Sequence, residues 1–265
     1  MWAALALTTA MSLAPGQGGD LKLTNVRTTL GILGPERKVS KLLPGDVLVV
    51  AYDIENVKVA ADGRVKYAMN IELIKKGVAK PVYKTDPQEL VAVNTLGGTT
   101  LPAFALVTIG TDQKKGDYTL KVTVKDRSTN KTATLSHDFE VAEPALGLVR
   151  VRLTNTAYEP APPVGVPGQR LQLGCSLVGF KTDKNRLPNV TFEMQVYDSN
   201  GKATLAKPFK GDIKTELKDN PEMMTFLPIP LELNRAGKYK VTLKATDNIA
   251  KKTVEQSLDL NVIGK

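Results

Sequence analysis

The sequence predicts an all-β protein built as two tandem β-sandwich domains of about seven strands each. Three observations carry this prediction. Apolar and polar residues alternate with a period of two, as they do when one face of a strand is buried and the other is wet. Tyr118, Leu120, Val122 and Val124 alternate with Thr119, Lys121, Thr123 and Lys125, and Tyr239, Val241, Leu243 and Ala245 with Lys240, Thr242 and Lys244. The pattern also comes twice: one copy closes with a hairpin from Gly116 to Val141, the other with a hairpin from Gly237 to Val262. Turn-forming residues punctuate the chain at short intervals, and no stretch carries the 3.6-residue apolar period of a long amphipathic helix.

At 265 residues the chain is long enough for two domains, read as 20–146 and 147–265, each able to bury its own core. A hydrophobic content of 42% with 24% charged residues is that of a globular protein and does not indicate disorder. The net charge of +9 is spread along the strands: 18 basic residues oppose 15 acidic ones up to Leu146, and 18 oppose 12 beyond it. Alternating lysines read as a solvated strand face that discourages edge pairing. The other reading is weak attraction to an anionic polymer or membrane surface.

Residues 1–19 differ in kind. Trp2 to Ala14 is apolar and uncharged, too short to span a membrane, and leads into small residues and Pro15-Gly16-Gln17-Gly18-Gly19. This reads as a secretory signal peptide lacking the usual positive start. The mature protein is expected in an extracytoplasmic compartment (periplasm, cell surface or medium) with no transmembrane segment after cleavage.

Within the repeat, Lys22-Leu23-Thr24-Asn25 matches Arg152-Leu153-Thr154-Asn155, and Pro44-Gly45-Asp46 matches Pro167-Gly168-Gln169. The spacing between copies is 130 residues at the first match, 123 at Pro-Gly and 121 at the closing hairpin, which reads as loop-length change within one topology. Strands follow from Val47 to Glu55 and from Arg170 to Val178. The alternation of Leu171, Leu173, Cys175 and Leu177 with polar or small residues sets the phase of the first copy, turning Leu48, Val50, Tyr52 and Ile54 inward and Asp53 and Glu55 outward. Val65, Tyr67, Met69 and Ile71 form the next strand, as do Val190, Phe192, Met194 and Val196. Turns are expected at Lys76-Gly77 and at Asn200-Gly201, a pair that tolerates positive φ. Short strands carry Val82 and Tyr83, and Phe209. Asp86 to Gly98 and Gly211 to Glu222 read as irregular, with room for one helical turn at Pro87-Gln88-Glu89-Leu90. Leu101 to Ile109 and Met224 to Leu233 read as strands whose prolines, Pro102, Pro228 and Pro230, assign them to an edge or a bulge. The linker Ala142-Glu143-Pro144-Ala145-Leu146-Gly147 is short enough to keep the domains close.

Seven or so short strands separated by such turns are the signature of a Greek-key sandwich. Gly116 two residues before Tyr118, and Gly237 two before Tyr239, resemble the tyrosine corner of immunoglobulin-like and fibronectin type III-like domains, and the resemblance runs from about Leu21 to Val262. It implies two tandem immunoglobulin-like Greek-key sandwiches. The core disulfide and core tryptophan of antibody domains are missing, since Cys175 is the single cysteine and Trp2 the single tryptophan. The hairpins are also similar to accessory modules of many exported bacterial proteins of uncharacterised role, which implies scaffolding or adhesion.

Chemistry-bearing patterns are sparse. Cys175 has the phase of a buried strand residue, and His137, the single histidine, lies in the other copy, where its counterpart is Leu258. No His-Glu-x-x-His, Cys-x-x-Cys, Gly-x-Ser-x-Gly or phosphate-binding glycine loop occurs, and Gly97-Gly98 reads as a turn. Asp53 and Glu55 share a strand face, but the second copy has Ser176 and Val178 in those places. Asp62, Asp126, Asp183, Asn185 and Asp247 are the loop oxygens a calcium ion would need, yet they form no cluster in sequence. Tyr158, Phe180 and Tyr197 are the aromatics free to contact a glycan. The expectation is therefore a protein with no enzymatic activity, metal or cofactor, binding a protein or cell-envelope partner and no nucleic acid. A glycan- or anionic-polymer-binding module, and a chaperone-like pair of sandwiches lending an edge strand to a client, are the alternatives.

Overall fold

The computed structural model describes residues 19–39, 41–215 and 222–264. The segment read as a secretory signal lies outside the described residues except for Gly19. The chain is all-β and forms several sheets, in keeping with a β-sandwich. Its first half contains β1 (Lys22–Thr29), β2 (Lys41–Leu42), β3 (Val47–Glu55), β4 (Arg64–Lys75), β5 (Tyr83–Lys84), β6 (Gln88–Val93), β7 (Leu101–Thr108), β8 (Gly116–Asp126) and β9 (Thr132–Val141). The second half contains β10 (Gly147–Thr154), β11 (Val164–Gly165), β12 (Arg170–Val178), β13 (Val190–Asp198), β14 (Phe209–Ile213), β15 (Met223–Thr225), β16 (Ile229–Glu232), β17 (Gly237–Asp247) and β18 (Lys252–Val262).

One strand order serves both halves. A small sheet, β1-β3-β7, faces a larger one, β2-β9-β8-β4-β5, in which β6 also pairs with β4. The second half repeats this with β10-β12-β15, where β16 also pairs with β12, and β11-β18-β17-β13-β14. The β2–β9 and β11–β18 pairs are parallel and two residues long; the remaining pairs are antiparallel. The inward phase of each strand closes on a core. Leu48, Val50, Tyr52, Ile54, Leu120, Val122 and Val124 belong to the first, and Leu171, Leu173, Cys175, Leu177, Val241, Leu243 and Ala245 to the second.

Pairing register corrects the reading of the repeat at its start. Lys22 pairs with Glu55 and Gly147 with Val178, so β1 and β10 correspond at a spacing of 125 residues, and the matching Leu-Thr-Asn tripeptides are not equivalent. Both strands carry a bulge at the same place, between Thr24 and Arg27 and between Val149 and Arg152. Its first residue is left-handed in each: Asn25 at φ 51° and Arg150 at φ 53°. Asparagine tolerates that conformation far better than arginine.

Two further expectations are revised. The stretch with room for a helical turn is instead the strand β6, in which Ala92 packs against the core, Leu90 in the same phase is half-buried, and the backbone pairs with β4. Met224 to Leu233 is two short strands, β15 and β16, with Pro228 between them.

The more uniformly apolar character of β3 also finds its cause. Val49 and Ala51 point away from the first core and are nonetheless buried, and Val49 lines a groove together with Val151 of β10. The outer face of this strand is therefore an interface with the second half.

Candidate functional site

Most residues capable of chemistry hold the backbone together. Asp126 and Asp247, at the ends of β8 and β17, are fully buried carboxylates. Asp126 accepts hydrogen bonds from the Lys58 N–H (2.8 Å), the Ser128 N–H (2.7 Å) and the Thr129 N–H (3.2 Å). Asp247 does the same with the N–H groups of Lys181 (2.7 Å), Ile249 (2.9 Å) and Ala250 (3.0 Å). Each one ties the loop before a central strand to the turn of the closing hairpin, and an ionised carboxylate so surrounded has its acceptor capacity engaged. Asp62 and Asp183 accept from N–H groups within their own turns, and Asp183 takes that of Asn185. Among the described residues no group of three His, Cys, Asp or Glu side chains could hold a metal ion.

Asp53 and Glu55 accept from Asn25 Nδ2 (2.9 Å) and Thr24 Oγ1 (2.8 Å) on the neighbouring β1. His137 lies on β9 at the seam between the sheets, its Nε2 2.9 Å from Thr28 Oγ1 on β1, and burial holds its pKa below the ordinary imidazole value. Cys175 is buried in the second core; desolvation pushes its pKa up to about 12, against the opposing pull of the Arg152 charge. A thiol so poised stays protonated and unreactive at neutral pH.

The three aromatics considered for ligand contact do not converge. Tyr158 is 68% exposed on the turn after β10, while Phe180 follows β12 at the opposite end of that strand pair and packs against the second core. Tyr197 sits on β13 of the other sheet, paired with Lys240. Tyr118 and Tyr239 hold matching places early in β8 and β17. The Tyr118 hydroxyl donates to the Lys114 carbonyl (2.6 Å) and accepts from Gln113 Nε2 (2.7 Å), and the Tyr239 hydroxyl donates to the Arg235 carbonyl (3.0 Å). Gly116 (φ 138°) and Gly237 (φ 147°) open these strands in a conformation L-residues rarely adopt, and a Cβ at Gly237 would stand 3.3 Å from the Tyr239 hydroxyl.

A polar cluster lies between the halves. Asp46, buried at the start of β3, pairs through Oδ2 with Arg37 Nη2 (2.7 Å), and its Oδ1 accepts from the N–H groups of Val47 (2.8 Å) and Arg150 (2.9 Å). Arg150 returns the contact by donating from Nε to the Gly45 carbonyl (2.7 Å). The left-handed backbone of Arg150 is thus held by two bonds to the first half, the kind of surrounding that sustains such strain. Arg152 Nη1 donates to the Arg150 carbonyl (3.3 Å). Arg37 Nη1 is buried without a partner among the described residues. Beside the cluster runs an open groove of about 340 Å³ whose wall combines Leu30, Val49, Leu106 and Val151 with Arg37, Arg150 and Arg152, against the single acid Asp46.

No family model matches this sequence, and no curated protein matches it. The solved structures similar to this chain include two matched over most of its length. A transglutaminase of red sea bream is 10% identical with a TM-score of 0.28, covering 93% of this chain and 32% of its own. Dimeric latent PorU of Porphyromonas gingivalis is 11% identical with a TM-score of 0.39, covering 98% of this chain and 22% of its own. The chain thus spans about a third or less of either protein, and likeness at this level carries no argument about activity.

Sequence reasoning did not find Asp46, Arg37 and Arg150: Arg37 and Asp46 lie nine positions apart with no motif to announce them, and the contacts of Arg150 with Gly45 and Asp46 span more than a hundred positions. It placed Asp126 and Asp247 among loop oxygens. The signal for their true role was their matching place, ten residues after Gly116 and Gly237.

Proposed function

We propose that the chain is an exported, non-enzymatic interaction or structural protein: two immunoglobulin-like Greek-key sandwiches, spanning 20–146 and 147–265, that present loops and edge strands to a protein or cell-envelope partner outside the cytoplasm. The observation that carries this reading is that the buried ionisable groups Asp46, Asp126 and Asp247 are engaged by backbone N–H groups. Such an arrangement favours a rigid framework over a reactive centre. The test is a substrate screen of the purified protein together with affinity capture from an envelope fraction. Capture of one saturable partner with no turnover supports the proposal; turnover abolished by Asp53→Ala or His137→Ala overturns it.

A second reading, a chaperone-like pair of sandwiches, is favoured by the arginine-bearing groove at the junction. Guanidinium groups beside apolar wall suit an extended client segment ending in a carboxylate. Fluorescence anisotropy of a labelled apolar peptide with a free C-terminus tests it. Binding weakened by Arg152→Ala and by C-terminal amidation supports this reading, and indifference to both removes it.

A further inference from the structure

The sheet edges differ sharply in how they are protected. On β7 the N–H of Ile109 reaches the Asp46 carbonyl across the ladder to β3, so Leu101, Ala103, Ala105 and Val107 address β3 and Pro102 stands in the outward phase, where it offers no donor. On β16 the Leu233 N–H reaches the Gln169 carbonyl, so Pro228 and Pro230 likewise occupy outward positions. β14 carries Lys210, Gly211 and Asp212, and β2, β5, β11 and β15 are two or three residues long. β1 is bulged. These are the usual devices against edge-to-edge pairing.

β6 has only one of them, the charge of Glu89. Gln88-Glu89-Leu90-Val91-Ala92-Val93 contains no proline, glycine or lysine and pairs with β4 in unbroken register. Its other edge has no strand beside it among the described residues. The Asn94 N–H donates to the Gly63 carbonyl, so Asn94, Ala92, Leu90 and Gln88 address β4. The backbone groups of Glu89, Val91 and Val93 therefore point outward. Val91 and Val93 are 63% and 55% exposed on the same strand.

We infer that β6 pairs with β6 of a second copy of this chain, antiparallel, about a two-fold axis at Val91. Only that parity of register brings outward groups together: Val91 opposite Val91 of the other copy and Glu89 opposite its Val93, giving six N–H···O=C bonds. The side chains agree with it. Two exposed β-branched valines meet at the axis. Glu89, which is ion-paired with Arg127, comes beside Val93 of the other copy, whose neighbour across β4 is Arg64, so acid approaches base twice by symmetry. Lys66, the β4 neighbour of Val91, would stand three strand spacings from its symmetry mate, about 14 Å, beyond the ~8 Å screening length at physiological salt. The product is one sheet running through both copies.

The test combines sedimentation with cysteine cross-linking of the whole protein. The protein is expected to show a concentration-dependent dimer. Val91→Pro removes an outward N–H from each copy without touching the ladder to β4, and weakens the dimer about thirtyfold; Val91→Lys weakens it as well while leaving every backbone group in place. Val91→Cys forms an intermolecular disulfide under mild oxidation, because a hydrogen-bonded antiparallel pair places the two Cα atoms about 5.5 Å apart, whereas Val93→Cys faces Glu89 and does not. A monomer at every concentration overturns the inference, even if the edge accepts a strand from another protein. So does a dimer in which Val93→Cys links as fast as Val91→Cys.

Discussion

Replacing Asp247 with alanine is expected to unfold the second half at much lower denaturant. The side chain is fully buried and receives three N–H groups, and a bond to a charged acceptor contributes about 1.5–3 kcal/mol when one partner is lost. Not all of this disappears. Ile249 and Ala250 lie on a hairpin turn with Ile249 39% exposed, so water replaces the carboxylate there. The bond from Lys181, which joins segments 66 residues apart, has no such substitute, and with the cavity left behind the net loss is about 3 kcal/mol. At an m value near 1.5 kcal/mol per molar urea this lowers the midpoint by about 2 M. Asp247→Asn keeps one acceptor oxygen but turns an NH2 toward the remaining donors, so it recovers less than half of the loss. The assay is built into the protein: Cys175 lies in the second core, and pulse alkylation against urea reports the opening of that half. A midpoint shift below about 0.5 M for Asp247→Ala, or native-like behaviour of Asp247→Asn, refutes the argument.

Other outcomes follow from the same contacts. Burial lowers the His137 pKa, so the unfolded chain binds a proton more readily than the folded one, and the first half loses stability as pH falls through the ordinary imidazole range near 6.5; thermal melts of His137→Leu, which installs the residue of the second copy, should lose that slope. Cys175 should resist thiol reagents in the native state even at pH 9, with labelling appearing only as the second core opens. Tyr118→Phe removes a buried donor and should cost about 1 kcal/mol in equilibrium unfolding. Tyr239→Phe should cost less, because its hydroxyl lies at an exposed site. Asp46→Ala leaves Arg37 buried without its carboxylate and frees the Arg150 N–H, so small-angle scattering should show a broader distribution of distances between the halves.

What the sequence discloses and what it conceals divide along physical lines. Period-two alternation is local, and it sufficed to assign Tyr118, Leu120, Val122 and Val124 to a buried face. The same rule left β3 ambiguous, because its outer face is covered by the other half and Val49 is as buried as Val50. Identity of short peptides is misleading at β1, where the pairing register with β3, a tertiary fact, puts the true correspondence five residues away. β6 went unread because Pro87 and the polar Gln88 and Glu89 resemble the start of a helix, while its pairing with β4 is a tertiary fact. Asp126 and Asp247 looked like loop acids since their donors, Lys58 and Lys181, lie more than sixty residues away. Tyr158, Phe180 and Tyr197 have in common only that the sequence does not give them a core phase, which says nothing about whether side chains share a surface.

The two short parallel pairs, Lys41 and Leu42 beside Glu140 and Val141, and Val164 and Gly165 beside Asn261 and Val262, bear on how the molecule would meet a mechanical load. In each, the chain enters the upstream strand from β1 or β10 and leaves its half through the downstream strand. Tension applied at those two points drags the strands past each other lengthwise, so the linking bonds share the force at once, whereas an antiparallel hairpin pulled at its open end yields rung by rung. A chain gripped on either side of such a latch would hold against a steady tug with only a handful of hydrogen bonds at each one.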